Sequence, residues 1–374
     1  MKKTAAHTSP DPIPGSLDIS LSKKRSTVDE LADRVREKIL SGEMPPGTRL
    51  PTTQQLAAQW GTYVPAVHAA LTALTKEGLL DRRHRMGTFV KEREARLSRV
   101  GILAPSQLWQ DASELLFIRE LFLLLETRFL QENIRTTVWF ETRQGEKTTT
   151  PIPALVKAAG RGEIQALIAL NSGQYNAAWL NALPVPVTGL GRVLKHRVDF
   201  DINSFFEIAL TRLQEQGCKS AGLITAVPPS HAEHVHAFRR AARRLKIQVR
   251  DAWVRNSIRY PEPHDEFGYN QFRELWAGPG RPDGLIAFPD NCAKGVMLGI
   301  TTAGVRVPDQ LKVVFHKNAE LPFLCPIAAA MVANSSHQCV DAFVDQLTRL
   351  HAGEKCPEIL LGYELIPPPK SPPK

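Results

Sequence analysis

The 374-residue sequence predicts a multidomain chain of mixed class, in which a small α+β head precedes a larger α/β body. Two observations predict this division. Helical periodicity followed by a basic hairpin fills the first quarter of the chain, and strand-like segments alternate with helix-like segments through the remainder. One hydrophobic core rarely serves more than about 250–300 residues, so two or three domains are expected.

Shifts in composition divide the chain further. Pro10, Pro12 and Pro14, together with the Lys23-Lys24-Arg25 cluster, predict a disordered basic tail. A charged run without apolar periodicity follows the head and is typical of a linker. The expected organisation is a tail over 1–25, a head over 26–91, a linker over 92–98, a body of two α/β subdomains over 99–366 and a disordered Pro-rich tail over 367–374.

Two helices open the head. The first has apolar residues at i, i+3, i+4, i+7 and i+11 from Val28 to Ile39, and Thr27 with Glu30 can form its capping box. A second capping-box signature, Thr52 with Gln55, begins a short helix that Gly61 ends. The spacing therefore predicts two short amphipathic helices in succession.

A third helix and a hairpin complete the head. Val67, Ala70, Leu71 and Leu74 form the inward face of the helix, which stops near Gly78. Residues 79–83 and 88–91 are expected strands around a tight turn at 84–87. Three helices followed by a basic hairpin are typical of a winged helix-turn-helix.

The charge distribution favours a polyanionic partner for the head. The formal net charge is +9, and residues 1–98 hold 16 Lys and Arg against 11 Asp and Glu, which leaves +5 in the first quarter. Helix three exposes small or polar positions that could enter a major groove, and the hairpin carries basic residues that could contact phosphates. The candidate DNA-binding residues are Thr52, Thr53, Gln54, Tyr63, Pro65, Ala66, His68, Arg82, Arg83, His84, Arg85 and Thr88. A winged helix that mediates only protein contacts is the alternative.

The head resembles the GntR family of bacterial regulators. The runs that carry the resemblance are 37–52, ending in Pro45-Pro46-Gly47-Thr48-Arg49-Leu50-Pro51-Thr52, then Glu77-Gly78-Leu79-Leu80, Arg82-Arg83 and Gly87-Thr88-Phe89-Val90. The resemblance implies a transcription regulator that binds double-stranded operator DNA. The departures are Gln54, Tyr63-Val64 and His68 at reading positions and Arg85 at the usual first glycine of the wing, so an altered operator sequence is expected.

The body resembles the effector domain of the LacI/GalR family. The matching stretches are Val100-Gly101-Ile102-Leu103, Pro282–Ala287, Asp290–Gly295 and Gly304–Val314. The resemblance implies the periplasmic-binding-protein fold, with about eight or nine strands in two subdomains. The two resemblances together, a GntR-type head fused to such a body, imply a sugar-responsive repressor.

Ligands of open α/β sheets bind where loops converge at the carboxyl ends of the strands. The candidate effector-binding residues are Ser106, Gln107, Trp109, Asn171, Glu233, Asp290 and Lys317. A carboxylate such as Asp290 can accept hydrogen bonds from two sugar hydroxyls, although it could instead cap the next helix. Glu233 and Lys317 reverse the charges that the family usually has at these places. They could also pair with each other.

Other residue classes narrow the function. Five cysteines without paired spacing indicate a reducing compartment, and no apolar run reaches eighteen residues, so a cytoplasmic protein without a membrane partner is expected. His231, His234 and His236 are a weak metal motif, and no metal or cofactor is expected. The sequence contains no Gly-rich phosphate loop and no nucleophile elbow, so an enzyme is not expected.

The expected function is that of a ligand-responsive repressor of a transport or catabolic operon. It would act as a homodimer, because helix-turn-helix proteins usually read two half-sites related by two-fold symmetry, and its effector would be a small polar molecule such as a sugar. The alternative is a solute-binding protein without regulatory DNA binding.

Overall fold

The structure is a computed structural model that describes residues 28–40, 43–91, 97–109, 115–143, 145–170, 178–191, 193–227, 232–256 and 262–366. Both expected tails, Thr27 of the first capping box and candidate residue Asn171 lie outside these ranges, as does the side chain of Trp109. No helix within the described ranges is long and apolar enough to cross a membrane.

Three helices and a two-stranded hairpin form the head, as the sequence predicts. Their bounds are α1 Val28–Leu40, α2 Thr53–Gln59, α3 Val64–Lys76, β1 Leu80–Arg83 and β2 Gly87–Val90. The capping box of α2 is confirmed, because Gln55 N donates to Thr52 Oγ1 and Thr52 N donates to Gln55 Oε1 at 2.9 Å. The hairpin is antiparallel, with Leu80 opposite Val90 and Arg83 opposite Gly87.

One hydrophobic core holds the head together. Leu31 and Val35 of α1, Trp60 after α2, and Val67 and Leu71 of α3 are buried in it. The spacing of three and four residues puts the apolar side chains of each helix on one face. A two-pronged ion pair between Arg36 and Glu77, with N–O distances of 2.7 and 2.9 Å, also joins α1 to the end of α3.

The body contains twelve strands and seven α-helices within its described residues. They are β3 Arg99–Pro105, α4 Leu116–Gln131, β4 Arg135–Glu141, α5 Pro153–Gly160, β5 Ala166–Ala169, β6 Val187–Gly189, β7 Val198–Phe200, α6 Ile202–Glu215, β8 Ala221–Thr225, α7 Glu233–Arg244, β9 Val254–Arg255, α8 His264–Ala277, β10 Gly284–Phe288, α9 Asp290–Thr302, β11 Lys312–Asn318, β12 Ala330–Asn334, α10 Ser336–His351, β13 Ile359–Leu361 and β14 Glu364–Ile366.

Two parallel sheets define two subdomains. Subdomain 1 has the order β4-β3-β5-β6, with all neighbours parallel. Subdomain 2 has the order β14-β12-β11-β10-β8-β9, in which β14 alone runs antiparallel. Helices cover both faces of each sheet, so central strands such as β5 and β8 are buried along their whole length rather than on alternate residues.

The chain crosses between the subdomains three times. It passes from β7 to α6, returns from β12 to α10, and passes again from β13 to β14; α10 packs with α4 in the core of subdomain 1. The crossing strands β7 and β13 pair in parallel, with Val198 opposite Ile359. This paired segment, residues 195–200 with 356–361, is called the hinge below.

Several body elements differ from the sequence-based expectation. The alternation of strand-like and helix-like segments predicts a strand over 248–254, whereas the structure has a single bridge at Gln248, a 3-10 turn at Asp251–Trp253 and the two-residue strand β9. The expected total of eight or nine strands was too low, because β7, β13 and β14 have only three residues each. Helix α10 was overlooked although Val340, Phe343, Val344 and Leu347 have helical spacing.

Candidate functional site

The exposed face of α3 contains three of the twelve residues predicted to read DNA. Tyr63 is 60% exposed, and Pro65 and His68 are exposed on the first two turns. Ala66 was predicted to face outward, and that prediction is wrong. Ala66 is only 2% exposed, because it lies one turn before Ala70 on the face that packs into the head core.

The start of α2 offers one free reading position. The Thr52 side chain is held in the capping box, with its hydroxyl 3.0 Å from Gln55 Oε1. Thr53 is half-buried, while Gln54 is exposed on the first turn. Gln54 is therefore the residue of this group that a partner could reach most easily.

The hairpin presents a cationic edge beside α3. Arg82 lies across the gap between them, since its Nη1 donates to Nε2 of His68 at 3.2 Å and its Nη2 donates to the His68 carbonyl at 3.4 Å. Arg83 is engaged within the hairpin, because its Nε donates to Asp81 at 3.0 Å and its guanidinium lies over the Phe89 ring. His84 is exposed at the turn, whereas Thr88 is half-buried.

Arg85 adopts a backbone conformation that usually requires glycine. Its φ is +60° at the tip of the hairpin, in the left-handed region where a Cβ atom costs roughly 1 kcal/mol. The sequence retains an exposed cation at this strained position. Arginine thus stands at a position that favours glycine, and its charge lies where the hairpin would meet a polyanion. Such departures from local backbone preference are expected at functional sites.

Of the effector-binding residues predicted in subdomain 1, only Ser106 and Gln107 have side chains within the described residues. Ser106 and Gln107 are half-buried in a 3-10 turn that follows β3. The sequence analysis missed the pair formed by Glu141 and Arg143 after β4. Burial disfavours ionisation of Glu141, yet hydrogen bonds and charge from Arg143 lower the pKa of this carboxyl, and two of those bonds measure 2.7 and 2.8 Å.

Asp290 begins α9 at the carboxyl edge of subdomain 2. Pro289 occupies the N-cap position, so the alternative in which Asp290 caps the helix through its side chain is not observed. Within the described residues the Asp290 carboxylate has no hydrogen bond or ion pair, which leaves it available to donors. Lys317, near the end of β11, is also without an ion pair in those ranges, so the suggested Glu233–Lys317 pair is not formed.

Glu233 is the first residue of α7, and its Oε1 lies 3.8 Å from Nδ1 of His234. The metal motif considered from the sequence included His231, which lies outside the described residues. Within the ranges that are described, no group of three acidic, histidine or cysteine side chains is arranged to hold a metal ion.

A continuous row of rings, absent from the predictions, crosses from one subdomain to the other. Successive ring centroids lie 4.5 to 5.9 Å apart. The row, called the aromatic row below, consists of Phe117, Phe200, Tyr363, His316, Phe288 and His234. Phe117 lies in the first turn of α4, while Phe288 and His234 stand at the carboxyl edge of subdomain 2. The row therefore links the predicted cleft to the hinge.

Polar atoms without partners accompany the row. Thr225 Oγ1, His316 Nδ1 and Asn334 Oδ1 are buried and have no hydrogen bond within the described residues. Burial lowers the pKa of His316 to about 4, against the opposing effects of Asp290 and Asn334. Buried polar groups are normally satisfied, so this edge of the sheet is suited to receive hydrogen bonds from a ligand.

No single sequence pattern identified these residues, because they come from separate strands and helices. The register explains why they meet: Thr225 lies opposite Phe288, and Asn318 lies opposite Asn334, on one face of the sheet. A histidine inside an otherwise apolar strand, as at His316, was the one available signal.

Comparisons with known proteins agree with this division. Residues 27–90 match the family model for bacterial regulatory proteins of the gntR family, and residues 210–367 match the model for a periplasmic binding protein-like domain. The head is thus a gntR-type helix-turn-helix domain. The second match begins within α6 and ends just after β14, so it covers most of subdomain 2 together with α10 and β13.

Relatives match through the head. The mannosyl-D-glycerate transport/metabolism system repressor of Escherichia coli is 40% identical over 63 residues, which are 17% of this chain and 26% of that protein. An HTH-type transcriptional regulator of Mycobacterium tuberculosis is 34% identical over 74 residues, 20% of this chain and 61% of the relative. The chain thus spans about a quarter to three fifths of these relatives.

Solved structures match through the body. A LacI-family regulatory protein from Chloroflexus aggregans has a TM-score of 0.61 at 15% identity, covering 72% of this chain and 97% of that one. The lac repressor dimer bound to operator and anti-inducer has a TM-score of 0.60 at 17% identity, covering 73% and 93%. At such identities the likeness shows the fold, which is that of LacI-type regulators.

Proposed function

We propose that this chain is a ligand-responsive transcription regulator, a repressor whose gntR-type head binds operator DNA and whose body binds a small polar effector. The observation that carries the proposal is the shared surface of α3 and the hairpin, where Arg82 bridges to His68 and the cationic tip stands beside the exposed helix. A helix flanked by cations supplies both base contacts and phosphate contacts.

The target operon class comes from the relatives. The Escherichia coli relative represses a transport and metabolism system, and a histidine utilization repressor from Klebsiella aerogenes is 41% identical over 64 residues. Both names describe control of the uptake or breakdown of a small molecule. We therefore assign this chain to a transport or catabolic operon and propose that it acts in the cytoplasm, where its operator DNA would be.

The effector is proposed to bind between the subdomains, against Asp290, Lys317 and Glu233 on one side and Ser106 and Gln107 on the other. Trp109 and Asn171 stay predicted contacts, since the Trp109 side chain and Asn171 lie outside the described residues. The free carboxylate of Asp290 and the unpartnered buried polar atoms beside it favour a ligand rich in hydrogen-bond donors, such as a sugar. Effector binding would turn the subdomains about the hinge and change the spacing of two heads in a homodimer.

An enzymatic role is not part of the proposal. The same fold serves solute-binding proteins, but a head that matches a DNA-binding family model favours the regulator. Fluorescence anisotropy with the DNA upstream of the chain's own gene tests the function. We expect binding whose logarithm falls linearly with the logarithm of salt concentration, and a flat salt dependence would contradict phosphate contacts by the hairpin.

A further inference from the structure

The head does not stand apart from the body but rests on subdomain 1. A Cβ atom built on Gly78, at the end of α3, would lie 2.1 Å from the carbonyl oxygen of Gly160 at the end of α5. Backbone therefore touches backbone at this point, and no larger side chain fits between them. This contact fixes the end of the predicted reading helix against the body.

A cavity of about 650 Å³ lies between the head and subdomain 1. Its head wall is formed by Ile39, Pro45 and Pro46, and its apolar body wall includes Leu183 and Leu350. The volume falls within the range of small-molecule sites, which is about 300–1,000 Å³. The cavity is separate from the effector cleft, because it is bounded by the head rather than by subdomain 2.

The third wall of the cavity is the hinge. Lys195 and His196 precede β7, and Cys356 precedes β13. His196 Nδ1 donates to the Cys356 carbonyl at 3.0 Å, and Arg197 forms an ion pair with Glu358 at 2.7 Å. The two crossing segments are thus tied together where they face the cavity.

The charged groups at the edge of the cavity that have no ion-pair partner within the described residues are positive. Lys195 and Lys355 are exposed at its edge, and neither has an ion pair within the described residues. Glu354 also lines the cavity, but Arg349 Nε holds its carboxylate at 2.9 Å. Apolar walls with two unpaired ammonium groups complement an apolar body that carries an anionic group.

We propose that this cavity is a second ligand site, distinct from the effector cleft, which binds amphipathic anions: molecules with an aromatic or aliphatic body and one carboxylate, sulfonate or phosphate. The occupant contacts the head and the hinge together. If the chain is the proposed regulator, on which this inference rests, a ligand bound here would hold the head in one position relative to the hinge. It would thereby bias the response to the effector.

The test is a fluorescence titration of the full chain with 8-anilinonaphthalene-1-sulfonate. N-phenyl-1-naphthylamine, which has the same rings without the sulfonate, is the matched uncharged probe. We expect one saturable site for the sulfonate and an affinity about tenfold lower for the uncharged probe. Equal affinity for the two probes would overturn the assignment to anions.

Variants locate the site. Lys195→Met combined with Lys355→Met should weaken sulfonate binding about tenfold, whereas Lys147→Met with Lys157→Met, two exposed lysines elsewhere on subdomain 1, should leave it unchanged. Pro45→Glu on the head wall should also weaken it, because it adds a like charge. Equal affinities in all variants would overturn the proposal.

Thermal melting confirms that each variant is folded. DNA binding is measured without the probe, so the two proposals fail separately. A parent chain that binds DNA but not the sulfonate overturns only the second site, whereas a parent chain that binds the sulfonate as expected but not DNA overturns only the regulatory function.

Discussion

Nη1 of Arg82 lies 3.2 Å from Nε2 of His68, so the hairpin and α3 form one surface. The hydrogen bond orients a cation over the helix that is proposed to enter the major groove. It also means that neither residue can be replaced without releasing the other. The first two predictions separate their contributions.

Removing the hairpin cations should weaken binding to every DNA sequence. Replacing Arg82, Arg83 and Arg85 together with Ala should lower affinity for specific and random duplexes alike, and it should reduce the salt slope by up to about 3. Anisotropy at several salt concentrations measures both quantities. Arg243→Ala, an exposed arginine of α7, is the control; an unchanged slope in the triple variant would remove the hairpin from the interface.

His68→Ala should change the preferred DNA site more than the salt slope. The imidazole is exposed on α3, the helix proposed to enter the major groove, so we expect its loss to remove a base contact rather than a phosphate contact. Selection from a random duplex library compares the variant with the parent. Recovery of the same site by both proteins would place His68 outside the reading face.

Arg85→Gly should stabilise the head while weakening DNA binding. Glycine relieves the positive φ of +60°, which is worth roughly 1 kcal/mol, but the exposed charge at the hairpin tip is lost. Urea denaturation gives the stability and anisotropy gives the affinity. If affinity rose with stability, Arg85 would have no part in phosphate binding.

Asp290→Ala should abolish effector binding without unfolding the chain. The carboxylate makes no hydrogen bond or ion pair within the described residues, and its charge favours His316 only when that imidazole is protonated. Its removal at neutral pH should therefore cost little beyond its interaction with the helix dipole, about 0.5 kcal/mol. A panel of sugars and sugar acids is screened by thermal shift. A compound that stabilises the parent should give no shift in the variant, while Asp309→Ala should respond as the parent does.

His316 should make stability depend on pH between about 4 and 6.5. Burial lowers its pKa to about 4, so in this window the unfolded chain binds a proton that the folded chain does not. Stability therefore falls as the pH is lowered, by about 1.4 kcal/mol per pH unit from this group. Burial also lowers the pKa of His196, which adds a change of the same sign.

Urea denaturation at several pH values measures this dependence. His316→Gln should flatten the decline relative to the parent, and the exposed His236→Gln should not. Identical pH profiles for the parent and His316→Gln would show that His316 is not the group responsible. Glu141 lies outside the comparison, because its lowered pKa makes its contribution disappear at more acidic pH.

The sequence predicted the head more closely than the body for a physical reason. Caps, turns and helical spacing are local, so Thr52 with Gln55 and the hairpin around Arg85 could be identified from neighbouring residues. Ala66 failed because alanine is compatible with either face of a helix. Its burial depends on what packs opposite, and the chain sequence does not state that locally.

The effector cleft could be predicted only as a place. The rule about carboxyl ends of strands nominated Asp290, which stands there unpaired. It could not nominate Phe200 or Tyr363, because these residues reach the site through the crossing strands rather than through the loops. Long-range pairing, such as that of β7 with β13, leaves no periodic trace in either segment.

Because of the aromatic row, the size of a bound ligand would affect the angle between the two subdomains. Protein interiors are packed as densely as molecular crystals, so a ring pushed aside must push its neighbour. A molecule that bonds to Asp290 and displaces Phe288 would press on His316 and, through Tyr363 and Phe200, on the hinge. Two ligands with identical hydrogen bonds but different girth would then set different angles between the subdomains.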